Sequence, residues 1–227
     1  MNYALLLLAG SATRFKSSVP KQFYLLDKKP LFFYPLNALN ESKNIDYIVL
    51  VVPENKVTAI KDFVKKHKIK KVLCIIAGGN TRNKSVKNGL EAIKKKAKDS
   101  DIILIHDAAR PLLDQEIIAN AIKETKKKKA TTFALRCFDT MVKANNKCEV
   151  QEYINREEVF ALQTPQTFIY KIIKNAYQKV QKSNDDTELV HHLKHTVYLL
   201  EGYEKLFKIT SKEDIQKLTS YLKCAIK

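Results

Sequence analysis

The chain has 227 residues, 45% of them hydrophobic, with only 5 Gly and 6 Pro, which excludes a disordered, collagen-like or linker-type polypeptide. No apolar run is long enough to span a membrane. Lys and Arg total 41 against 24 Asp and Glu, a formal net charge of +17, which suits nucleic acid, an anionic membrane or a phosphorylated substrate.

Apolar runs alternate with amphipathic stretches along the chain. Residues 3–9 form a short apolar run with no basic segment before it, so a buried strand and not a signal peptide is expected. Further strands are expected over residues 46–52, 71–76, 101–105 and 130–136. Each is nearly continuous in apolar residues, as in a parallel sheet covered on both faces. Helices are expected between them. They cover residues 31–41, 54–67 (Val57, Ile60 and Val64 on one face), 81–97 (Val86, Leu90 and Ile93) and 114–125, where Asp114 is the N-cap. Strand alternating with helix implies βαβ crossovers and an open α/β sheet. After Arg136 the rhythm breaks. Residues 138–162 hold short β-prone pieces around Asn145-Asn146 and predict a hairpin or arm. Helices return at residues 169–181 and 187–193, a strand at 197–201 and a last helix at 212–224. One domain, residues 1–227, with an inserted arm is expected. The four cysteines show no CxxC pairing, so free thiols and a cytoplasmic location are expected.

In open α/β sheets ligands bind outside the carboxyl ends of the strands. The segment after the first strand, residues 10–21, carries Gly10, Ser11, Thr13, Arg14 and Lys21. It is neither a Walker A loop nor GxGxxG, yet its backbone N–H groups and two cations would suit a polyphosphate. After the third strand come Gly78 and Gly79, with Asn80 or Thr81 capping a helix whose N-terminus offers free N–H groups. After the fourth come His106, Asp107 and Arg110, and Asp107 is a natural ligand for Mg²⁺ riding on phosphates. Only five of the 41 cations are Arg. Three of them, Arg14, Arg82 and Arg110, lie in these loops, where a planar fork for phosphate is the usual reason to keep Arg.

The segments LAGSATRFKSSVPKQF (8–23), GGNTRNKSVKNGL (78–90), HDAARP (106–111), DTMVK (139–143), NREEVFALQTPQTF (155–168) and KITSKEDI (208–215) resemble the 2-C-methyl-D-erythritol 4-phosphate cytidylyltransferases. The match is collinear over nearly the whole chain. The resemblance implies a Rossmann-like nucleotidyltransferase fold and a homodimer joined through the β-arm. It also implies transfer of CMP from CTP to methylerythritol phosphate with Mg²⁺, releasing pyrophosphate. Carried over by position, Ala9, Gly10 and Ser11 match the triphosphate turn, and Arg14 and Lys21 the cations on the α-phosphoryl group. Gly79, Asn80 and Ser85 match the cytidine-recognising positions and Asp107 the Mg²⁺ ligand. Arg110, Thr140, Arg156, Asp185 and Lys208 match positions around the sugar phosphate and the transferred phosphoryl group. Three positions depart from the family pattern: Ala12 replaces a glycine, Asn80 an acidic residue and Leu206 an asparagine.

Two other readings stand beside this one. Ribitol-5-phosphate cytidylyltransferase would share fold, nucleotide and chemistry. A basic nucleic-acid-binding module would rest on the +17 alone, and here the lysines are dispersed and not interleaved with aromatics. His191 and His195 form an i, i+4 pair that could hold a metal, but no third ligand is marked. Neither nucleic acid nor membrane is therefore the expected partner.

Overall fold

The computed structural model describes residues 1–9, 20–180, 183 and 185–224. In chain order the elements are β1 (Asn2–Leu7), β2 (Leu25–Leu26), β3 (Lys29–Pro30), α1 (Phe33–Glu41), β4 (Tyr47–Val52), α2 (Val57–Lys66), β5 (Val72–Ala77) and α3 (Arg82–Ile93). They continue with β6 (Ile102–Asp107), α4 (Gln115–Lys128), β7 (Ala130–Arg136), β8 (Met141–Ala144), β9 (Val150–Ile154), β10 (Phe160–Ile169), α5 (Tyr170–Lys179), α6 (Asp186–His192), β11 (Tyr198–Glu201) and α7 (Glu213–Cys224). Seven strands form one sheet in the order β11-β7-β10-β6-β1-β4-β5. All neighbours pair in parallel except β10, which runs antiparallel to both β6 and β7.

The apolar runs explain the layers. Alternate residues of one strand point to opposite faces. Leu6, Leu50 and Leu104 are buried against Leu36, Leu39, Ile117 and Ile118 of α1 and α4. Leu5, Val49 and Ile103 are buried against Val86, Leu90, Ile173 and Tyr177 of α3 and α5. Both faces are therefore covered, which is why the strands read as continuous apolar runs. Pro35 lies in the first turn of α1, where its missing N–H costs nothing. Thr81 and Asp114 are the N-caps of α3 and α4, accepting from the backbone N–H of Lys84 and Ile117.

Several expectations need correction. The 54–67 segment opens with a 3₁₀ turn, Glu54–Lys56, before α2 begins. β6 runs two residues further than expected, so His106 and Asp107 end the strand instead of following it. β10 was not anticipated. Its Pro165 argues against a central strand, but the register shifts between Leu162 and Gln166, so the proline sits where the ladder is already interrupted. The tiny β2–β3 pair was also missed. His195 lies beyond the end of α6, so it does not share a helical face with His191. β8 and β9 form the expected antiparallel hairpin as a separate two-stranded sheet, turning through Asn145 to Cys148.

Strand order sets the place of the site. The chain crosses from β1 to β4 and β5 on one side, and returns to β6 on the other side of β1. The connections thus reverse between β1 and β6, and a crevice opens there at the carboxyl ends. Leu7 and Asp107 are register partners at that end.

Candidate active site

Asp107 is the last residue of β6 and is buried. Its backbone N–H donates to Thr164 Oγ1 at 3.2 Å. Its Oδ1 accepts from Arg82 Nε at 3.2 Å and its Oδ2 from Lys208 Nζ at 2.6 Å. Burial opposes ionisation of this carboxyl. Arg82 and Lys208, and then Arg110, outweigh burial and hold it far below the usual carboxylate range. Asp107 is therefore an anion at any physiological pH.

Arg82 opens α3 and reaches two carboxylates. Besides Asp107 it lies 2.7 Å, through Nη2, from Oδ2 of the fully buried Asp186. The N–H is not aligned on that oxygen, so the contact is a Coulombic ion pair rather than a hydrogen bond. Tyr177 donates its hydroxyl to the other oxygen of Asp186. Arg110 points its guanidinium at the backbone carbonyls of Leu206 and Leu162. This ties the Lys208 loop to β10. Arg82 Nη1 and Arg110 Nε are buried N–H groups with no hydrogen-bond partner among the described residues.

His106 is wholly buried next to Asp107. Nδ1 lies 3.0 Å from Thr164 Oγ1 and Nε2 lies 3.0 Å from the Arg110 carbonyl. A carbonyl can only accept, so Nε2 carries the proton and Nδ1 accepts from Thr164. Burial pushes the imidazole down from 6.5 to about 4. A lowered histidine is neutral in the fold while the unfolded chain takes a proton below pH 6.5, so stability falls as pH drops from 6.5 towards 4. The span of the shift corresponds to about 3 kcal/mol. Below about pH 4 the paired Asp107 adds to the loss, because the unfolded carboxyl is protonated first. Denaturant unfolding at pH 7 and pH 4.5 should show this drop, and His106→Gln should flatten it. Parallel pH profiles for both proteins would exclude His106 as its source.

The other expected positions gather at the same edge, with exceptions. Gln22 donates to the Leu8 carbonyl and pins the 3₁₀ turn Lys21–Phe23 to the segment just past the end of β1. Gly79 N–H donates to Ser85 Oγ at 3.1 Å, and that hydroxyl reaches the Thr81 carbonyl at 2.9 Å, so Ser85 braces the 78–81 loop from below. Asn80 is exposed at its tip. Asp185 caps α6: Oδ1 accepts from Thr187 N at 2.8 Å and Oδ2 from Gln166 Nε2 at 2.8 Å. Thr140 and Arg156 stand apart. Both are exposed at the foot of the β8–β9 hairpin, where Arg156 donates to the Phe138 carbonyl at 3.1 Å. Strand β10 separates them from the Asp107 end, since Phe160 and Thr164 lie roughly 13 Å apart at the usual rise per residue. Gly10, Ser11, Ala12 and Arg14 lie outside the described residues.

A family model described as IspD, 2-C-methyl-D-erythritol 4-phosphate cytidylyltransferase, matches residues 3–224. The chain belongs to this cytidylyltransferase family. A relative of the same description from Clostridium botulinum is 38% identical over 218 residues, 94% of each chain. Another from Thermotoga neapolitana is 39% identical over 216 residues, 95% of this chain and 94% of that one. The crystal structure of the 4-diphosphocytidyl-2C-methyl-D-erythritol synthase of Anaerococcus prevotii matches with a TM-score of 0.83 at 27% identity, covering 98% of this chain and 96% of that one. The bifunctional IspDF of Campylobacter jejuni matches at 0.80 and 29%, covering 95% of this chain but 53% of that longer one.

Membership makes the protein a nucleotidyltransferase that moves CMP from CTP to 2-C-methyl-D-erythritol 4-phosphate in the non-mevalonate route to isoprenoids. It also explains the architecture, a mostly parallel sheet flanked by helices. The ribitol phosphate and nucleic-acid readings are not favoured by any of these matches. No helix among the described residues is long and apolar enough to cross a membrane.

Some site residues escaped sequence reasoning. Arg82 was expected among the phosphate-facing arginines, but not its pairing with Asp107 and Asp186. His106, Thr164, Gln166, Tyr177 and Asp186 carried no assigned role, because the contacts that join them, His106 to Thr164, Gln166 to Asp185 and Tyr177 to Asp186, are between different elements. Gly78 carries a testable packing consequence for the cytidylyltransferase. A Cβ there would lie 2.3 Å from the Ala9 Cβ and 2.9 Å from Ser85 Oγ. Neither atom is the far end of a flexible side chain. Gly78→Ala should therefore spread the two loops, raise KM for CTP and cost about 1–3 kcal/mol of stability. Unchanged KM and melting temperature would mean the loops separate without consequence.

Proposed function

We propose that the crevice at the ends of β1 and β6 binds the CTP triphosphate, with the residues in the roles their positions suggest. The observation that carries this is Asp107, an obligate anion at the topological switch point, bracketed by Arg82 and Lys208 with Arg110 close by. The Arg82 and Arg110 N–H groups that have no partner among the described residues add donors suited to phosphate oxygens. Ala9, Gly10 and Ser11 hold the triphosphate. Gly79, Asn80 and Ser85 shape the cytosine site, Ser85 by fixing the loop rather than by a free hydroxyl. Arg14 and Lys21 stabilise charge at the α-phosphorus. Arg110, Asp185 and Lys208 face the acceptor phosphate and transferred phosphoryl group, with Thr140 and Arg156 supplied from the hairpin.

The family implies a divalent cation, and we assign it as Mg²⁺ at Asp107. No group of three or more His, Cys, Asp or Glu side chains gathers among the described residues. A single carboxylate fits an ion whose remaining ligands are phosphate oxygens and water, and does not fit a closed protein cage. Bound there, the ion would neutralise triphosphate charge. Lys208 would then exchange the carboxylate for a phosphate oxygen.

The acceptor's phosphate oxygen is already ionised, so in-line attack on the α-phosphorus needs no general base. His106 could not serve as one, because both ring nitrogens are committed to internal partners. Positioning and charge neutralisation remain, and the cations supply both. The hairpin exposes Phe138, Val150, Tyr153 and Ile154. An apolar surface of this kind suits a second copy of the chain, and a homodimer joined there would bring Arg156 of one copy to the crevice of the other. We place the enzyme in the cytoplasm as a single cytidylyltransferase domain over residues 1–227.

Pyrophosphate release with a nucleotide panel tests the site. The Gly78–Gly79 loop, braced by Ser85, is expected to bring backbone groups against a pyrimidine edge, so CTP should be strongly preferred over ATP and GTP. Equal turnover with ATP would overturn this description of the pocket.

A further inference from the structure

The Asp107 carboxylate is not held by the crevice alone. Behind it runs a chain of contacts whose buried inner end, Asp186 and Tyr177, the cytidylyltransferase chemistry above does not use. Lys208 meets Asp107, Asp107 meets Arg82, Arg82 meets Asp186, and Asp186 meets Tyr177. The chain crosses from β6 through the first residue of α3 to α5 and α6. Asp186 is completely buried and Tyr177 nearly so. Neither touches the crevice side of Asp107.

Arg82 carries one charge and serves two carboxylates. Its Nε lies on Asp107 and its Nη2 on Asp186. How firmly it grips Asp107 therefore depends on how firmly Asp186 pulls from the other side. A cation arriving at Asp107 competes with Arg82 for the same oxygens, and like charges close together repel strongly in a low-dielectric site. We infer that Asp186, acting through Arg82, is a positioning residue that sets how readily Asp107 accepts a divalent cation. This rests on Asp107 being the ligand of that cation.

Three features of the cluster fit this role. Asp186 could have been an apolar residue packed against Tyr177, and a buried ion pair is seldom retained for stability alone. Arg82 keeps Nη1 buried without a hydrogen-bond partner among the described residues, so its fork is not saturated by Asp107 and can shift between the two acids. Asp186 also directly follows Asp185, the α6 cap held by Gln166. The pull on Arg82 is thus anchored to the helix that presents the acceptor-side carboxylate.

The test uses Mn²⁺ as the probe ion, its binding to the full-length enzyme with CTP followed by electron paramagnetic resonance. Mg²⁺ activation of pyrophosphate release is measured in parallel. Asp186→Asn keeps the shape and the contact with Tyr177 but removes the pull. Arg82 should then close on Asp107, and both Mn²⁺ affinity and Mg²⁺ half-activation should weaken about tenfold, a coupling usual for residues in one ionic network. At saturating Mg²⁺ most of kcat should return. The double variant Arg82→Gln/Asp186→Asn removes the pair as a neutral unit and so folds even where the single variant does not. It should bind Mn²⁺ at least as tightly as the wild type, because the competing cation is gone. Its kcat should fall more than tenfold, because Asp107 is no longer aimed. A folded Asp186→Asn enzyme with unchanged Mn²⁺ affinity would overturn the inference, as would a double variant with wild-type kcat. Wild-type enzyme that binds no Mn²⁺ in the presence of CTP would instead remove Asp107 as the ligand, and the inference with it. A purely structural pair would lower the melting temperature of both variants and leave the ion requirement untouched.

Discussion

Asp107→Asn should lower kcat by about 10²–10³-fold, the scale of losing one preorganised electrostatic contact to a transition state. The amide fills the same space but carries no charge. It cannot neutralise a bound cation, and it leaves Arg82 and Lys208 facing each other across a site that Asp107 had balanced. Breaking a buried ion pair on one side costs about 3–5 kcal/mol, and the partly exposed Lys208 can regain water, so the lower end is expected. The variant should fold, melt lower and recover part of its rate at high Mg²⁺, since an amide oxygen still coordinates weakly. Single-turnover pyrophosphate release against Mg²⁺ concentration separates these effects. A soluble variant with unchanged rate and unchanged Mg²⁺ dependence would reduce Asp107 to a structural anion.

The parts of this fold that were legible in the sequence are those where one physical signal dominates. β1, β4 and the first four residues of β6 are buried on both faces, so their runs are almost continuously apolar. Thr81 and Asp114 cap helices because a short oxygen-bearing side chain before an amphipathic run has few other uses. β10 defeats the same reasoning. Its buried positions include Gln163, Thr164, Gln166 and Thr167, which reach the Tyr203 carbonyl, the His106 ring, the Asp185 carboxylate and the Thr131 hydroxyl instead of oil. Thr131, for example, sits between the hydroxyls of Thr125 and Thr167 at 2.8 and 2.7 Å. A strand of hydrogen-bonded polar residues around a proline, with only Gln166 Oε1 lacking a partner among the described residues, has no apolar run and no alternation to detect.

The site divides in the same way. Asp107, Arg110 and the glycine loop were visible because they lie at or just beyond strand ends, where an α/β sheet collects ligands. Asp186 and Tyr177 were not. Their contribution arises only when α5 and α6 fold back over the start of α3, and no local spacing encodes that contact. The Ser85 hydroxyl was visible as a residue but not in its task, which is to hold Gly79 and Thr81 in place.

Lys21→Ala should cut kcat by about 10²–10³ while KM for both substrates changes little, because a contact made in the transition state is lost from kcat and kcat/KM together. Lys21 sits in the 3₁₀ turn that Gln22 pins to the Leu8 carbonyl just past β1, and the proposed role puts it against the nucleotide. Arg156 lies at the foot of the hairpin, away from Asp107 along β10, so its loss should fall on the other substrate. Arg156→Ala should chiefly raise KM for the sugar phosphate and leave KM for CTP nearly alone. The separation within one chain makes the combination informative. If the hairpin of one copy completes the crevice of another, mixing Lys21→Ala and Arg156→Ala chains creates one crevice in each mixed dimer that carries both wild-type residues. That crevice should restore activity towards half the wild-type rate per dimer at low acceptor concentration, where the two parent variants are both poor. Verified mixed dimers that regain nothing would mean that each crevice draws both residues from its own chain. The hairpin would then have to fold back across β10 to reach it.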